Sequence, residues 1–252
     1  MTTESTGRPR YALLDTLRGF ALVNMIAYHG LWDLIYLAGF TPGWYNEGGA
    51  FYWQQGICWT FILLSGFCWS MSRHPVCHGV VVFACGLLVT AVTALVEPTA
   101  LIWWGVLSLL GAAGLLLTAL EPLLRKLHPA AGLVLSALLF ALTRSIASGT
   151  VGLPGLGTLA LPRVLYRNLA TAFFGFPPAG FYSADYFPLL PWFFLFCVGY
   201  FAHRLWWDRW KELPLLRRGV PGLSWLGRHS LVVYLLHQPV LYGLLELYWM
   251  LT

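Results

Sequence analysis

The chain has 252 residues, of which 58% are apolar and only 10% are charged, and its net charge is +5. Soluble globular domains carry about 25% charged residues, so this composition excludes a water-soluble surface, while 16% aromatic residues exclude a disordered chain. The basic excess does not indicate nucleic-acid binding, because the basic residues lie in short segments between apolar runs. We therefore predict an integral membrane protein, an all-α bundle that forms a single domain over residues 1–252.

Seven apolar runs are long enough to cross a bilayer as helices. Their predicted bounds are 19–40, 51–71, 79–96, 101–120, 130–147, 188–205 and 230–251. The basic residues concentrate in the connections that share one side when seven spans alternate, which predicts a cytoplasmic N-terminus. The segment 148–187 is rich in Gly and Pro, and we expect a long non-cytoplasmic connection there, with a short interfacial helix near 164–174.

The first span carries most of the ionisable residues that fall inside predicted membrane helices. Arg18 and His29 are eleven residues apart, which on a helix places them on one face and about 16 Å apart along its axis. His29 and Asp33 are four residues apart, so the carboxylate is expected to orient the imidazole. Asp15 and Arg18 are expected to pair. Snorkelling of Arg18 and simple packing of His29 stay open as alternatives.

The second span ends in a block, 61–67, that contains Ser65 and Gly66 and is followed by Arg73. Small residues such as these allow helices to approach closely. We expect Arg73 on the same side of the membrane as Arg18, where two guanidinium groups suit a phosphate-bearing ligand. Ordinary flanking charge is the alternative for Arg73.

Two further candidate site residues lie near the last two spans. Asp185 precedes a proline-rich helix entry, where it is expected to be either a loop cap or an acceptor-side ligand. His237 is a second intramembrane imidazole, and Pro239 is expected to free a backbone carbonyl near it. A structural hydrogen bond across helices is the alternative for His237. The five cysteines form no CxxC pair, so we predict neither a disulfide nor a metal site.

Three blocks of this chain resemble the signature blocks of membrane acyltransferases of the acyltransferase-3 superfamily: 14–19 with His29 after it, 61–67, and 227–239. Within that group the chain resembles the bacterial branch that is similar to the catalytic domain of heparan-α-glucosaminide N-acetyltransferase. The resemblance implies transfer of an acyl group, expected to be acetyl, from cytoplasmic acyl-CoA to a hydroxyl or amine of a sugar or other cell-envelope acceptor, in the bacterial inner membrane.

The resemblance also implies roles for individual residues. The family's essential arginine and histidine fall on Arg18 and His29, and an arginine that holds the acyl donor falls on Arg73. No histidine lies in 41–50, where that branch carries a catalytic loop histidine, so His29 is assigned the catalytic role. The expected site comprises His29, Asp33 and Arg18 for catalysis, Arg18, Arg73 and Ser65 for acyl-CoA, and His237 and Asp185 for the acceptor.

The predicted mechanism uses His29 as a general base in direct transfer, with an acyl-imidazole intermediate as its variant. Two other functions stay open. One is a proton-coupled transporter that uses His29, Asp33 and His237 as a relay, although no inverted repeat is evident. The other is a scaffold subunit of a cell-envelope complex. The sequence also allows a homodimer.

Overall fold

The computed structural model describes residues 10–36 and 42–251, apart from the side chains at positions 46, 47 and 249. The end of the first predicted span, 37–40, lies outside the described residues. The described helices are α1 (Ala12–Tyr36), α2 (Ala50–Trp69), α3 (Pro75–Val96), α4 (Val106–Leu124), α5 (Pro129–Leu142), α6 (Leu169–Phe174), α7 (Leu189–Trp210), α8 (Pro214–Arg217), α9 (Pro221–Arg228) and α10 (Ser230–Leu251). A π-helical turn, Tyr45–Gly49, precedes α2.

Five helical segments in the described chain are long and apolar enough to cross a membrane: Pro75–Val96, Val106–Leu124, Pro129–Ser148, Leu189–Trp210 and Ser230–Tyr248. They correspond to the third to seventh predicted spans and indicate an integral membrane protein. The first two predicted spans form α1 and α2, which are not among the five. Polar residues lower the mean hydropathy of both helices, for example Arg18 and Asp33 in α1 and Gln54 in α2. The count of seven spans and the cytoplasmic N-terminus therefore stay predictions.

The chain divides into two compact units. The first unit consists of Met1–Ile57 and Asp208–Thr252, and the second consists of Cys58–Trp207. In the first unit α1 packs against α8, α9 and α10, and in the second unit α3 packs against α4. The prediction of a single domain over 1–252 stays a prediction.

The first unit depends on a close crossing of α1 and α9. A Cβ added at Gly19 would lie 1.9 Å from the carbonyl oxygen of Leu223, and one at Gly227 would lie 1.9 Å from that of Asp15. The Thr16 hydroxyl lies beside this crossing, 2.7 Å from the hydroxyl of Ser224. Neither glycine can therefore accept a side chain without separating the two helices.

The second unit contains a comparable crossing of α2 and α7. A Cβ added at Gly66 would lie 2.0 Å from the carbonyl oxygen of Phe196, and one at Gly199 would lie 2.2 Å from that of Leu63. The close approach predicted at Gly66 is confirmed. Helices α3 and α4 also approach closely at a glycine, because a Cβ at Gly111 would lie 2.4 Å from the backbone nitrogen of Phe83.

The segment 148–187 contains more regular structure than the sequence predicts. Thr150–Leu153 and Gly157–Ala160 form an antiparallel hairpin, β1–β2, whose turn follows Leu153. Gly152 adopts a φ of +130°, which a side chain would strain. Within the predicted range 164–174 only α6, Leu169–Phe174, is α-helical, and it starts at a capping box formed by Asn168 and Thr171. Its interfacial location stays a prediction.

Candidate functional site

Four polar side chains come together where α1 packs against α10 in the first unit: His29, Asp33, His237 and Gln238. We refer to these four residues as the polar cluster. The Gln238 Nε2 donates a hydrogen bond of 3.0 Å to the Asp33 Oδ1. The ring centroids of His29 and His237 lie 4.9 Å apart, with the planes tilted by 57°. The cluster thus joins two predicted catalytic residues of α1 to a predicted substrate-binding residue of α10.

The tautomer of His237 follows from its backbone contact. Its Nδ1 lies 2.5 Å from the carbonyl oxygen of Tyr234. A carbonyl oxygen only accepts hydrogen bonds, so Nδ1 carries the hydrogen. A neutral imidazole has one N–H, which leaves a lone pair on Nε2. His237 therefore presents a hydrogen-bond acceptor on the side of the ring that faces away from Tyr234.

Three buried polar atoms of the polar cluster have no hydrogen-bond partner within the part of the chain that is described. They are Oδ2 of Asp33, Nε2 of His237 and Oε1 of Gln238. Asp33 is only 3% exposed. An unpaired polar atom inside a protein costs about 1–3 kcal/mol, so such a concentration on two helices is typical of a site that binds a ligand.

One contact that the sequence predicts at this site differs from the contact in the structure. The sequence places Asp33 one helical turn after His29, and we expected the carboxylate to hold the imidazole. Instead, Oδ1 of Asp33 is occupied by Gln238, and Oδ2 has no partner among the described residues. The difference arises because α10 packs on this face of α1 and brings an amide donor to the carboxylate. The predicted role of Asp33 in catalysis stays a prediction.

Arg18 lies near the start of α1 and forms the predicted ion pair with Asp15. The distance from its Nη1 to the Asp15 Oδ1 is 3.3 Å, and the other oxygen of Asp15 accepts from Nε of Arg10 at 3.1 Å. These two arginines and one carboxylate leave an excess positive charge at this end of the helix. Helix α1 continues without a break to Tyr36, so Arg18 and His29 keep their predicted axial spacing of about 16 Å.

Aromatic residues surround the His29 side of the polar cluster. The Tyr28 ring contacts His29 and Trp53 edge to face, with centroids 5.7 and 5.6 Å apart. The Trp53 Nε1 donates a hydrogen bond of 3.1 Å to the side chain of Asn24. This contact anchors the start of α2 on the middle of α1, and the sequence contains no local signal that predicts it.

Three predicted site residues belong to the second unit. Ser65 is half-buried in α2 next to Gly66, and Arg73 is exposed just after α2. The Asp185 Oδ2 accepts a hydrogen bond of 3.2 Å from the backbone N–H of Val106, the first residue of α4. Asp185 thus makes a capping contact with α4, a partner distant in sequence that the local pattern does not predict. Burial raises the pKa of Asp185 to about 6, and the N–H of Val106 limits the increase.

Gln238 is the member of the polar cluster that the sequence did not predict. Its position after His237 and before Pro239 was the only available signal, and that signal does not indicate Asp33 as its partner. Within the described chain, no three His, Cys, Asp or Glu side chains are grouped so that they could hold a metal ion. All five cysteines are free thiols.

Comparison with known families shows which protein family the chain belongs to. The family model described as "Heparan-alpha-glucosaminide N-acetyltransferase, catalytic" matches residues 10–239. No curated protein and no solved structure matches the chain. The matched range contains the whole polar cluster as well as Arg18, Ser65, Arg73 and Asp185. The family match does not support the transporter alternative. The chain therefore belongs to the heparan-alpha-glucosaminide N-acetyltransferase catalytic family, and it is a membrane acetyltransferase by family.

Proposed function

We propose that this protein transfers an acetyl group from acetyl-CoA to a hydroxyl or amine of a sugar or other cell-envelope acceptor, at the bacterial inner membrane. Family membership supports acetyl transfer, because the family description specifies an N-acetyltransferase that acts on a glucosaminide. The apolar helices support a membrane location. The observation that carries the proposal is the contact between two imidazoles, His29 and His237, inside the region that matches the family.

In this proposal His29 is the general base. One of its ring nitrogens takes the proton from the acceptor O–H or N–H while the acceptor oxygen or nitrogen attacks the thioester carbonyl. The carbon–sulfur bond then breaks, and coenzyme A leaves as a thiolate that takes up a proton. A positioned base of this kind contributes roughly 10²–10⁴-fold to a rate. Asp33 acts on His29 through its negative charge, because its hydrogen bond goes to Gln238. In the two-step variant His29 carries the acetyl group, which predicts ping-pong kinetics.

In the first unit the donor role is assigned to Arg18, and the donor roles of Arg73 and Ser65, which belong to the second unit, are a separate proposal. Guanidinium groups bind phosphates through paired charge-assisted hydrogen bonds, and coenzyme A carries several phosphates. The excess positive charge around Asp15 supports this role for Arg18. The spacing of about 16 Å from Arg18 to His29 along α1 suits an extended pantetheine arm with its phosphates at Arg18 and its thioester at His29.

In the first unit the acceptor role is assigned to His237, and the acceptor role of Asp185 and the segment 148–187, which belong to the second unit, is a separate proposal. The free Nε2 of His237 supports this assignment, because it can accept a hydrogen bond from the acceptor. For Asp185 the capping contact occupies Oδ2, so only Oδ1 is available for a ligand. The donor and acceptor roles can be tested separately because they predict changes in different Michaelis constants.

The test uses the purified full-length protein in lipid nanodiscs and measures thiol release from acetyl-CoA with glucosamine as the acceptor probe. We expect His29→Ala to lose at least about 100-fold in kcat, and Arg18→Ala to raise the KM for acetyl-CoA. The exposed residues His74 and Arg209 provide the matched controls His74→Ala and Arg209→Ala. Wild-type turnover in His29→Ala would disprove the base assignment. No acetyl-CoA-dependent product with any amine or hydroxyl probe would disprove the proposed function.

A further inference from the structure

The three unpaired buried atoms of the polar cluster share one chemical property, which is that each accepts hydrogen bonds. Nε2 of His237 has only a lone pair, because Nδ1 donates to Tyr234. The unpaired amide atom of Gln238 is its carbonyl oxygen, Oε1, because the amide nitrogen, Nε2, donates to Asp33. Oδ2 of Asp33 only accepts when the carboxyl is ionised.

The residues that carry these acceptors are linked by contacts between α1 and α10. Asp33 and Gln238 share a hydrogen bond of 3.0 Å, so their free oxygens flank the same contact. His237 precedes Gln238 in α10, and its ring contacts His29, which lies one turn before Asp33 in α1. Acceptors buried without donors destabilise a protein, and no described residue supplies the donors.

We propose that Gln238, together with His237 and Asp33, forms the subsite that binds the acetyl acceptor, a small molecule with several neighbouring O–H or N–H groups such as a sugar or an amino sugar. Gln238 is a specificity-determining residue in this subsite, and it also positions Asp33. The assignment rests on the proposed function for the reaction, but the binding itself requires no acetyl-CoA.

The pattern of three acceptors distinguishes this ligand class from simpler ones. A single water molecule has two hydrogens and cannot donate to three acceptors at once. A molecule with one hydroxyl or one amine on an apolar ring satisfies fewer of them than a sugar with adjacent hydroxyls. An amine that binds as a cation gains additionally from the carboxylate of Asp33. The cluster is therefore expected to favour glucosamine over glucose, and glucose over cyclohexanol.

The experiment measures ligand-induced thermal stabilisation of the full-length protein in nanodiscs without acetyl-CoA, followed by the KM of the same ligand in the acetyl-transfer assay. The probes are glucosamine, glucose and cyclohexanol. We expect stabilisation of the wild type in that order. Gln238→Met keeps the length of the side chain but removes both amide atoms, and we expect about tenfold weaker binding of glucosamine, the loss typical of one hydrogen bond.

Two further variants show whether weaker glucosamine binding comes from the loss of the subsite or from misfolding. His237→Asn retains an amide that can donate to the Tyr234 carbonyl but has no atom in place of Nε2, so it is expected to weaken glucosamine binding similarly. Gln54→Met changes a half-buried glutamine of α2 whose oxygen accepts from Gln55, and it is expected to leave glucosamine binding unchanged.

The outcomes separate this inference from the proposed function. Equal stabilisation by glucosamine and cyclohexanol, or no stabilisation of the wild type by any probe, would show that the cluster holds water only and would overturn the subsite. Unchanged binding and KM for glucosamine in both Gln238→Met and His237→Asn would also overturn it, even if acetyl transfer is observed. Stabilisation in the expected order without acetyl-CoA consumption would support the subsite and reject the proposed function.

Discussion

The helix crossings of the two units use the same backbone contact in different surroundings. Gly19 and Gly227 bring α1 to α9, and Gly66 and Gly199 bring α2 to α7, each with no room for a Cβ. The first crossing is bordered by hydroxyl groups that hydrogen-bond across it. The second is surrounded by large buried hydrophobic residues of α2 and α7, namely Ile62, Phe67, Phe196 and Phe201.

This difference indicates that the two crossings, although similar in backbone geometry, contribute differently to stability and to ligand binding. In the second unit the close approach contributes packing, because aliphatic and aromatic side chains complete the contact. In the first unit the crossing lies one residue from Arg18 and next to its ion-pair partner Asp15. We therefore expect changes at the α2–α7 crossing to reduce stability, and changes at the α1–α9 crossing to reduce both stability and acetyl-CoA binding.

The largest effects on stability are expected for glycines at the two crossings, beginning with Gly66→Ala. The new Cβ would meet a backbone carbonyl, which cannot rotate away, so the helices must separate. We expect a loss of about 3 kcal/mol or more in the free energy of unfolding, measured by thermal or denaturant unfolding in detergent. Gly56→Ala in the same helix has open space around its Cβ and should be neutral or slightly stabilising. Equal melting temperatures for the two variants would contradict the crossing.

The next effect is expected for Gly19→Ala, where stability and function should change together. Its Cβ would meet the carbonyl of Leu223, and the resulting shift of α9 would disturb the neighbouring Arg18. We expect destabilisation similar to that of Gly66→Ala, and a higher KM for acetyl-CoA in the protein that remains folded. Gly222→Ala in α9 meets no atom within 4 Å and serves as the control. A Gly19→Ala protein with an unchanged KM would remove the functional distinction between the crossings.

A smaller effect is expected for Thr16→Val. The Thr16 hydroxyl donates to the carbonyl of Ala12, accepts from the backbone N–H of Val220, and contacts the Ser224 hydroxyl. A methyl group of the same size removes the acceptor of the Val220 N–H, although the Ser224 hydroxyl can still donate to the Ala12 carbonyl. We expect a cost of about 1–3 kcal/mol in the free energy of unfolding. Thr16→Ser keeps the hydroxyl and should recover most of that loss. Equal stability of the Val and Ser variants would show that the hydroxyl contacts do not matter.

The smallest effect concerns Asp185, which caps α4 in the second unit. Burial raises its pKa to about 6 from the usual 3.8, so the folded state binds more protons than the unfolded state between these values. Stability from this group is therefore present below about pH 4 and is lost as the pH rises through about 6. Asp185→Asn can still accept from Val106 but does not titrate, so its melting temperature should fall less over this range than that of the wild type.

The control for that measurement is Glu212→Gln, which removes an exposed carboxylate and should retain the pH dependence of the wild type. Identical pH dependence in the wild type and Asp185→Asn would show that Asp185 ionises normally in the folded protein. A higher KM for glucosamine in Asp185→Asn would support its proposed role as an acceptor ligand in addition to its capping contact.

Much of the helical architecture can be predicted from composition and local pattern. Apolar runs of bilayer length predict helices because a backbone in lipid must satisfy its own hydrogen bonds. Five of the seven predicted spans correspond to helices apolar enough to cross a membrane. The ion pair between Asp15 and Arg18 is also local, since the two residues are three positions apart in one helix. The hairpin at 150–160 was not predicted, because its strands are short and rich in glycine.

The arrangement of the polar cluster depends on packing between distant parts of the chain. Helical periodicity places His29 and Asp33 on one face of α1, but it contains no information about which helix covers that face. Asp33 and Gln238 are 205 residues apart, and their hydrogen bond forms because α10 packs on α1 in a particular rotation. The same rotation brings the two imidazoles together. A hydrogen-bond partner across two helices is set by their relative position, which no local pattern of residues encodes.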